Sequence, residues 1–101
     1  MIVITGSITA RPDTFDALRE AGVAHSRRSR AEPGCIAHNL HVDCENPMRL
    51  VFVEKWKDRT AVAMHFKVKA SIEFVTSARK LAASPPDMEI LDTSPVQMGN
   101  L

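Results

Sequence analysis

The sequence predicts an α+β protein of the split βαβ, ferredoxin-like kind, and three observations carry that prediction. Short β-branched or alternating runs and helix-spaced apolar residues follow one another in the order strand, helix, strand, strand, helix, strand. Pro-Gly, Asn-Pro and Pro-Pro steps fall between these segments and not within them. The chain has 101 residues, room for one such unit, so residues 1–101 are read as a single domain.

Ile2 to Thr9 is short and β-branched, which predicts the first strand. Pro12 is placed at the start of the first helix, where its missing N–H does no harm. Asp13, Asp16 and Glu20 come early in that helix and Arg27, Arg28 and Arg30 late, as the helix dipole favours. Phe15, Leu18, Gly22 and His25 recur on one face, and Gly22 there implies close packing on a sheet. Pro33-Gly34 ends the helix. Ile36, His38, Leu40 and Val42 alternate as the second strand, Glu45-Asn46-Pro47 is read as the turn, and Leu50 to Trp56 forms the third strand. Asp58 is a cap for a helix through Ala61, Met64, His65 and Val68; a further helical stretch carries Phe74, Ala78 and Leu81. Ser84-Pro85-Pro86-Asp87 breaks it, and Met88 to Leu91 is the last strand.

Helices should cover one face of this sheet. Val3, Val51 and Val53 sit on the opposite parity from their apolar neighbours, so the other face is also partly apolar. That pattern predicts a homodimer in which a second copy covers the bare face.

A hairpin centred on Asn46 gives facing residue numbers that sum to ninety-two. His38 then lies opposite Glu54, Ile36 opposite Trp56, Leu40 opposite Phe52, Val42 opposite Leu50, and Asp43 beside Arg49. The even-numbered face is the more apolar and goes under the helices. His65 points at it from the second helix, so His38, Glu54, Trp56 and His65 can converge on one pocket. The plainer alternatives are that His38 and Glu54 pair inside a core or interface, and that Trp56 is a core aromatic.

Composition removes several function classes. Thirteen Lys and Arg against twelve Asp and Glu leave a net charge of +1, which gives no footprint for nucleic acid or an anionic membrane. The apolar run from Ile2 to Ala10 is too short to span a membrane and lacks the basic start of a signal peptide. Cys35 and Cys44 read as reduced thiols and the compartment as cytoplasmic. No glycine-rich phosphate loop signals a dinucleotide. His41, Asp43 and His65 imitate a two-histidine, one-carboxylate metal site, but His65 belongs with the other sheet face and Asp43 pairs with Arg49, so no metal site is assigned. The arginine cluster at 27–30 is read as a solvated helix end, Cys35 as a small core residue, and His25 has no readable partner.

Glu32-Pro33-Gly34-Cys35-Ile36, Asp43, Phe52-Val53-Glu54-Lys55-Trp56-Lys57-Asp58 and His65 together resemble the antibiotic biosynthesis monooxygenase domain. The resemblance covers nearly the whole chain and implies a small dimeric α/β barrel. Members of that family oxygenate quinols and polyketide aromatics without a cofactor, degrade heme, or process a signalling molecule. The chain departs from the family pattern where members often carry Tyr, at His38, and where they continue past the helix His as Thr-Pro-His, here Val68-Lys69-Ala70. Gly6, His65 and Val75 stand where heme-degrading members have Asn, Trp and an axial His, which argues against heme degradation.

These features lead to the expectation of a cofactor-independent monooxygenase acting on a small quinol-like or phenolic aromatic. His65 is the base, with Glu54 and His38 tuning or relaying the proton. Trp56, Phe52, Leu40 and Phe74 form the substrate box. No cofactor and no metal are expected in the purified protein. The alternative reading is a binding or accessory module that uses the same pocket without chemistry.

Overall fold

The structure, a computed structural model, describes all 101 residues. Four strands, β1 (Ile2–Thr9), β2 (Cys35–Asp43), β3 (Asn46–Trp56) and β4 (Asp87–Asp92), form one antiparallel sheet in the order β2-β3-β1-β4. Three helices, α1 (Phe15–Ser29), α2 (Arg59–Lys67) and α3 (Lys69–Leu81), pack on one face. This is the ferredoxin-like α+β arrangement that the element order implies.

The parity assignment holds along the central strands. Ile2, Ile4 and Ile8 of β1 and Leu50, Phe52, Glu54 and Trp56 of β3 are all buried under the helices, while their odd-numbered neighbours are half-buried or exposed. The hairpin register holds through its middle, with His38 facing Glu54, Leu40 facing Phe52 and Val42 facing Leu50. It fails at both ends. Cys35, not Ile36, faces Trp56, because a bulge there turns Ile36 out to solvent. At the other end the turn is Cys44-Glu45, and Asn46-Pro47 already belong to β3. A second irregularity after Val42 brings Asp43 opposite Asn46, yet the Asp43 carboxylate still reaches Arg49 Nη1 at 3.2 Å.

Pro12 does not open α1. It lies in the preceding turn, and the helix begins at Phe15 after Thr14. Thr14 Oγ1 accepts from the Arg11 amide at 3.0 Å and donates to the Leu81 carbonyl at 2.6 Å, tying the helix start to the end of α3. Leu18, Gly22 and His25 face the sheet as their spacing requires. A Cβ on Gly22 would stand 2.7 Å from Leu40 Cδ2 and 3.3 Å from Phe52 Cζ, which is the close approach that excuses a helical glycine. Asp58 caps α2 by accepting from the Ala61 amide at 2.9 Å. Val68 adopts ψ 126°, which breaks the chain direction and separates α2 from α3.

Gly34 holds the α1–β2 connection with φ +81°, and a Cβ there would come 2.5 Å from Ala61 Cβ. Gly34→Ala therefore combines left-handed strain of about 1–2 kcal/mol with overpacking of about 1–3 kcal/mol. The expected result is a loss of about 2–5 kcal/mol in urea unfolding, and a midpoint equal to the parent's would remove this account.

Candidate active site

The interior between the sheet and α1–α3 divides into two apolar clusters. Ile8, Ala10, Leu18, Leu50, Phe52, Phe74 and Ala78 make one; Ile2, Ile4, Trp56, Ala61 and Val62 make the other. Between them runs a line of polar side chains that the fold buries: His25 and Ser26 from α1, His38 from β2, Glu54 from β3 and His65 from α2. A cavity of about 510 Å³ opens beside this line, within the 300–1,000 Å³ typical of small-molecule sites. Gly6 and Ile8 of β1, Phe52 and Glu54 of β3 and Phe74 of α3 are among its walls, with His25 and His65 as its imidazoles. Its mouth carries exposed Phe66, Ile72, Val75 and Met88, an apolar rim.

All of these polar groups but His25 are held by a specific side-chain partner. Trp56 Nε1–H donates to Glu54 Oε1 at 2.9 Å, and His38 Nε2 stands 3.3 Å from the same oxygen, off the line of a hydrogen bond. The two residues alternate along β3, so both side chains fall on the helix-covered face. Burial pushes the Glu54 carboxyl up, but the His38 ring and the Trp56 donor outweigh it and hold the carboxyl below its ordinary value. His38 Nδ1 meets Ser26 Oγ at 2.8 Å. His65 Nδ1 meets Glu32 Oε1 at 2.8 Å, leaving Nε2 as the second nitrogen of that ring. A carboxylate on one imidazole nitrogen fixes both the tautomer and the ring orientation. Trp56 also lies under the His65 ring, with centroids 4.6 Å apart.

His25 is stacked on Phe74 at 4.4 Å with the planes 7° apart. Burial, then the neighbouring His38 and His65, lower its pKa to about 3, with a partial offset from Glu54. It is therefore a neutral imidazole at neutral pH, and its Nδ1 has no hydrogen-bond partner.

Of the residues singled out from sequence, Glu54, His65, Phe52 and Phe74 line the cavity. His38 is fully buried behind Glu54, Trp56 is fully buried beneath His65, and Leu40 packs against α1 at Gly22; none of the three is on the cavity wall. Two residues of the site escaped sequence reasoning. His25 was visible on the buried stripe of α1, but its neighbours come from α2, α3 and β2. Glu32 sits in the α1–β2 connection and reaches His65 across 33 positions, a contact with no local signal. The arginines end α1 as expected, although Arg30 also donates to the His38 carbonyl at 2.7 Å. No helix is long and apolar enough to cross a membrane.

A small antiparallel sheet with helices on one face, beside a cavity walled by aromatics, imidazoles and the carboxylates of Glu54 and Asp87, defines a class of α+β proteins built around a ligand-sized interior. The chain belongs to the antibiotic biosynthesis monooxygenase family, whose sequence profile matches residues 1–77. It is similar to the Synechocystis sp. protein sll1783, 30% identical over 96 residues; the match takes in 95% of this chain, which spans 65% of that relative's length. It is also similar to the Bacillus subtilis protein named "Putative monooxygenase YcnE", 27% identical over 87% of this chain and 93% of that one. A solved structure from Deinococcus radiodurans shares the fold with a TM-score of 0.91 over 96% of both chains, at 18% identity.

Proposed function

We propose that this protein is a cofactor-independent monooxygenase for a small phenolic or quinol-like aromatic. The observation that carries the reading is the cavity: apolar and aromatic on its walls, with an oriented imidazole, His65, at its inner end. Family membership supports the reaction class. The substrate class rests on the cavity's shape and chemistry.

His65 Nε2 takes the phenolic proton while Glu32 holds Nδ1–H and stabilises the imidazolium that forms. The phenolate is electron-rich enough to pass one electron to dioxygen, and the two radicals combine at a ring carbon bearing hydrogen. The peroxide anion that results takes the proton back from the His65 imidazolium, and the hydroperoxide then loses water, with the ring hydrogen as one of water's protons, so that a carbonyl remains. One oxygen atom ends in the product and the other in water; the substrate supplies every electron. The protein binds, orients and excludes solvent. Phe52 and Phe74, which meet edge to face with centroids 5.7 Å apart, form the aromatic wall against which the ring packs, and Glu54, anchored by Trp56 and next to His38, sets the field that the developing charge meets. The test is dioxygen consumption with a panel of quinols, with a His65→Gln variant as control. Ligand-induced thermal stabilisation without turnover would favour the binding-module reading instead.

The same reading includes a homodimer joined through the uncovered sheet face, in a cytoplasmic setting. Val3, Val51 and Val53 are only half-buried there, and Leu91 of the edge strand β4 is exposed beside Val3. A stable interface buries upwards of about 1,000 Å². Val53→Asp should reduce the mass in light scattering to that of a monomer, whereas Ser77→Asp on the outer side of α3 should not. A parent protein that is already monomeric at micromolar concentration would refute the dimer.

A further inference from the structure

His25, His38 and His65 come from three different elements, are all buried, and bring ligand-capable nitrogens within 4.8 Å of one another. A buried imidazole normally finds partners for both nitrogens. Here the partners sit on the outside of the cluster. Glu32 holds His65 Nδ1 and Ser26 holds His38 Nδ1, each at 2.8 Å. His38 Nε2 is buried and makes no hydrogen bond, standing 3.3 Å from Glu54 Oε1 off the line of one, and His25 Nδ1 is buried with no partner. Proton transfer at His65 explains neither orphan.

We propose that His25, His38 and His65 form a binding site for a divalent transition-metal ion of the Zn²⁺ type, with the Glu54 carboxylate alongside as an oxygen donor. Ring spacing supports it. Imidazoles on a tetrahedral ion at Zn–N distances of about 2.0–2.1 Å have ring centroids about 5.2 Å apart. The observed centroid separations are 5.1 Å for His25–His38, 5.4 Å for His25–His65 and 5.7 Å for His38–His65. The rings are thus already at ligating distance, and an ion would draw together nitrogens that now lie within 4.8 Å of one another. The outer partners match as well: metal-bound histidines characteristically hand their other nitrogen to a carboxylate or another polar group, which fixes the ring. The donor set selects the ion class. Three imidazoles suit Zn²⁺, Cu²⁺ or Ni²⁺, whereas Mg²⁺ and Ca²⁺ require oxygen ligands.

The site differs from the one weighed on sequence. His41 and Asp43 play no part, because His41 is exposed and Asp43 pairs with Arg49 beside the turn; His38 takes their place. The ion and the proton compete for the same lone pair on His65 Nε2. Occupancy therefore holds the site in a resting form and adds no step to oxygenation, so metal binding stands whether or not the protein turns over a quinol.

The experiment uses the full chain, treated with EDTA and desalted, then titrated with ZnSO₄ in a calorimeter and with Co²⁺ by visible absorption. The expected result is one saturable ion per chain and the intense visible bands of four-coordinate Co²⁺. Glu32→Gln keeps all three ligands and should weaken Zn²⁺ binding about 10–100-fold, and loss of a ligand in His25→Phe or His38→Phe should weaken it further. Circular dichroism reports whether each variant is folded; Glu32→Gln and His25→Phe serve if His38→Phe is not. Absence of saturable Zn²⁺ binding to the parent would overturn the site. Undiminished affinity in folded His25→Phe would do the same and would move binding to the surface, around His41.

Discussion

His65→Gln is expected to lower kcat/KM for a competent quinol by about 10²–10⁴-fold, the usual contribution of a positioned general base. Glutamine keeps the approximate volume and a hydrogen bond towards Glu32, so the fold should stay intact and thermal unfolding should shift little. It cannot accept the phenolic proton. His65→Ala should lose as much activity and also leave space above Trp56, whose ring lies 4.6 Å away. Glu32→Gln separates orientation from basicity: the imidazole remains, but the carboxylate 2.8 Å from Nδ1 no longer stabilises the imidazolium. Its loss of rate should fall between the parent and His65→Gln. If His65→Gln consumes dioxygen as fast as the parent, His65 is structural and the mechanism fails at its first step.

The second large effect is on stability against pH, measured on metal-free protein with EDTA present. His25 is held neutral in the fold with a pKa of about 3 against an ordinary 6.5. Between these values the unfolded chain binds a proton that the folded chain refuses, so stability rises with pH there. The contribution is fully present above pH 6.5 and is lost as pH falls towards 3, at up to about 1.4 kcal/mol per pH unit. From pH 7.5 to 5.0 the parent should lose about 2 kcal/mol from this group in urea titrations. His25→Phe preserves the ring stacked on Phe74 and removes the titration, so its stability should fall by correspondingly less over that interval. Glu54, whose carboxyl is held below its ordinary value by His38 and Trp56 against the effect of burial, contributes stability above about pH 4.5 that is lost at lower pH. Acid unfolding should therefore steepen further below that point in both proteins. Equal pH slopes for parent and His25→Phe would show that His25 is not the source.

How much of this was legible in advance depends on the range of the interaction. Strand and helix identities rest on local chemistry: β-branched runs, helical spacing, the Asp58 cap and the Pro-Gly break act over a few residues. Parity along β1 and β3 is a period-2 property, so which side chains lie under the helices could be counted from the numbering. The His38–Glu54 pairing needed only a hairpin of roughly the right length. Its ends could not be counted, because a bulge at Ile36 and another irregularity after Val42 insert residues without a composition signal. Family motifs pointed to Glu54 and His65, and Glu54, His65, Phe52 and Phe74 do meet on one cavity wall.

What the tertiary structure alone decided is which of the buried polar residues touch. His25 lies on a helix stripe that would suit any core histidine; only the packing of α1 over β2 and α2 sets it against His38 and His65. Glu32 belongs to a connection, and only the passage of Gly34 against Ala61 delivers its carboxylate to His65. Leu40 and Trp56 have the right parity but end in the packing and not on the cavity wall, since α1 descends onto Leu40 at Gly22 and His65 covers Trp56. The amino-acid sequence by itself determined the elements, the faces and the family. The triad of imidazoles and its carboxylate supports were decided by helix placement on the sheet, because contacts between residues tens of positions apart follow from close packing in three dimensions and leave no periodic mark along the chain.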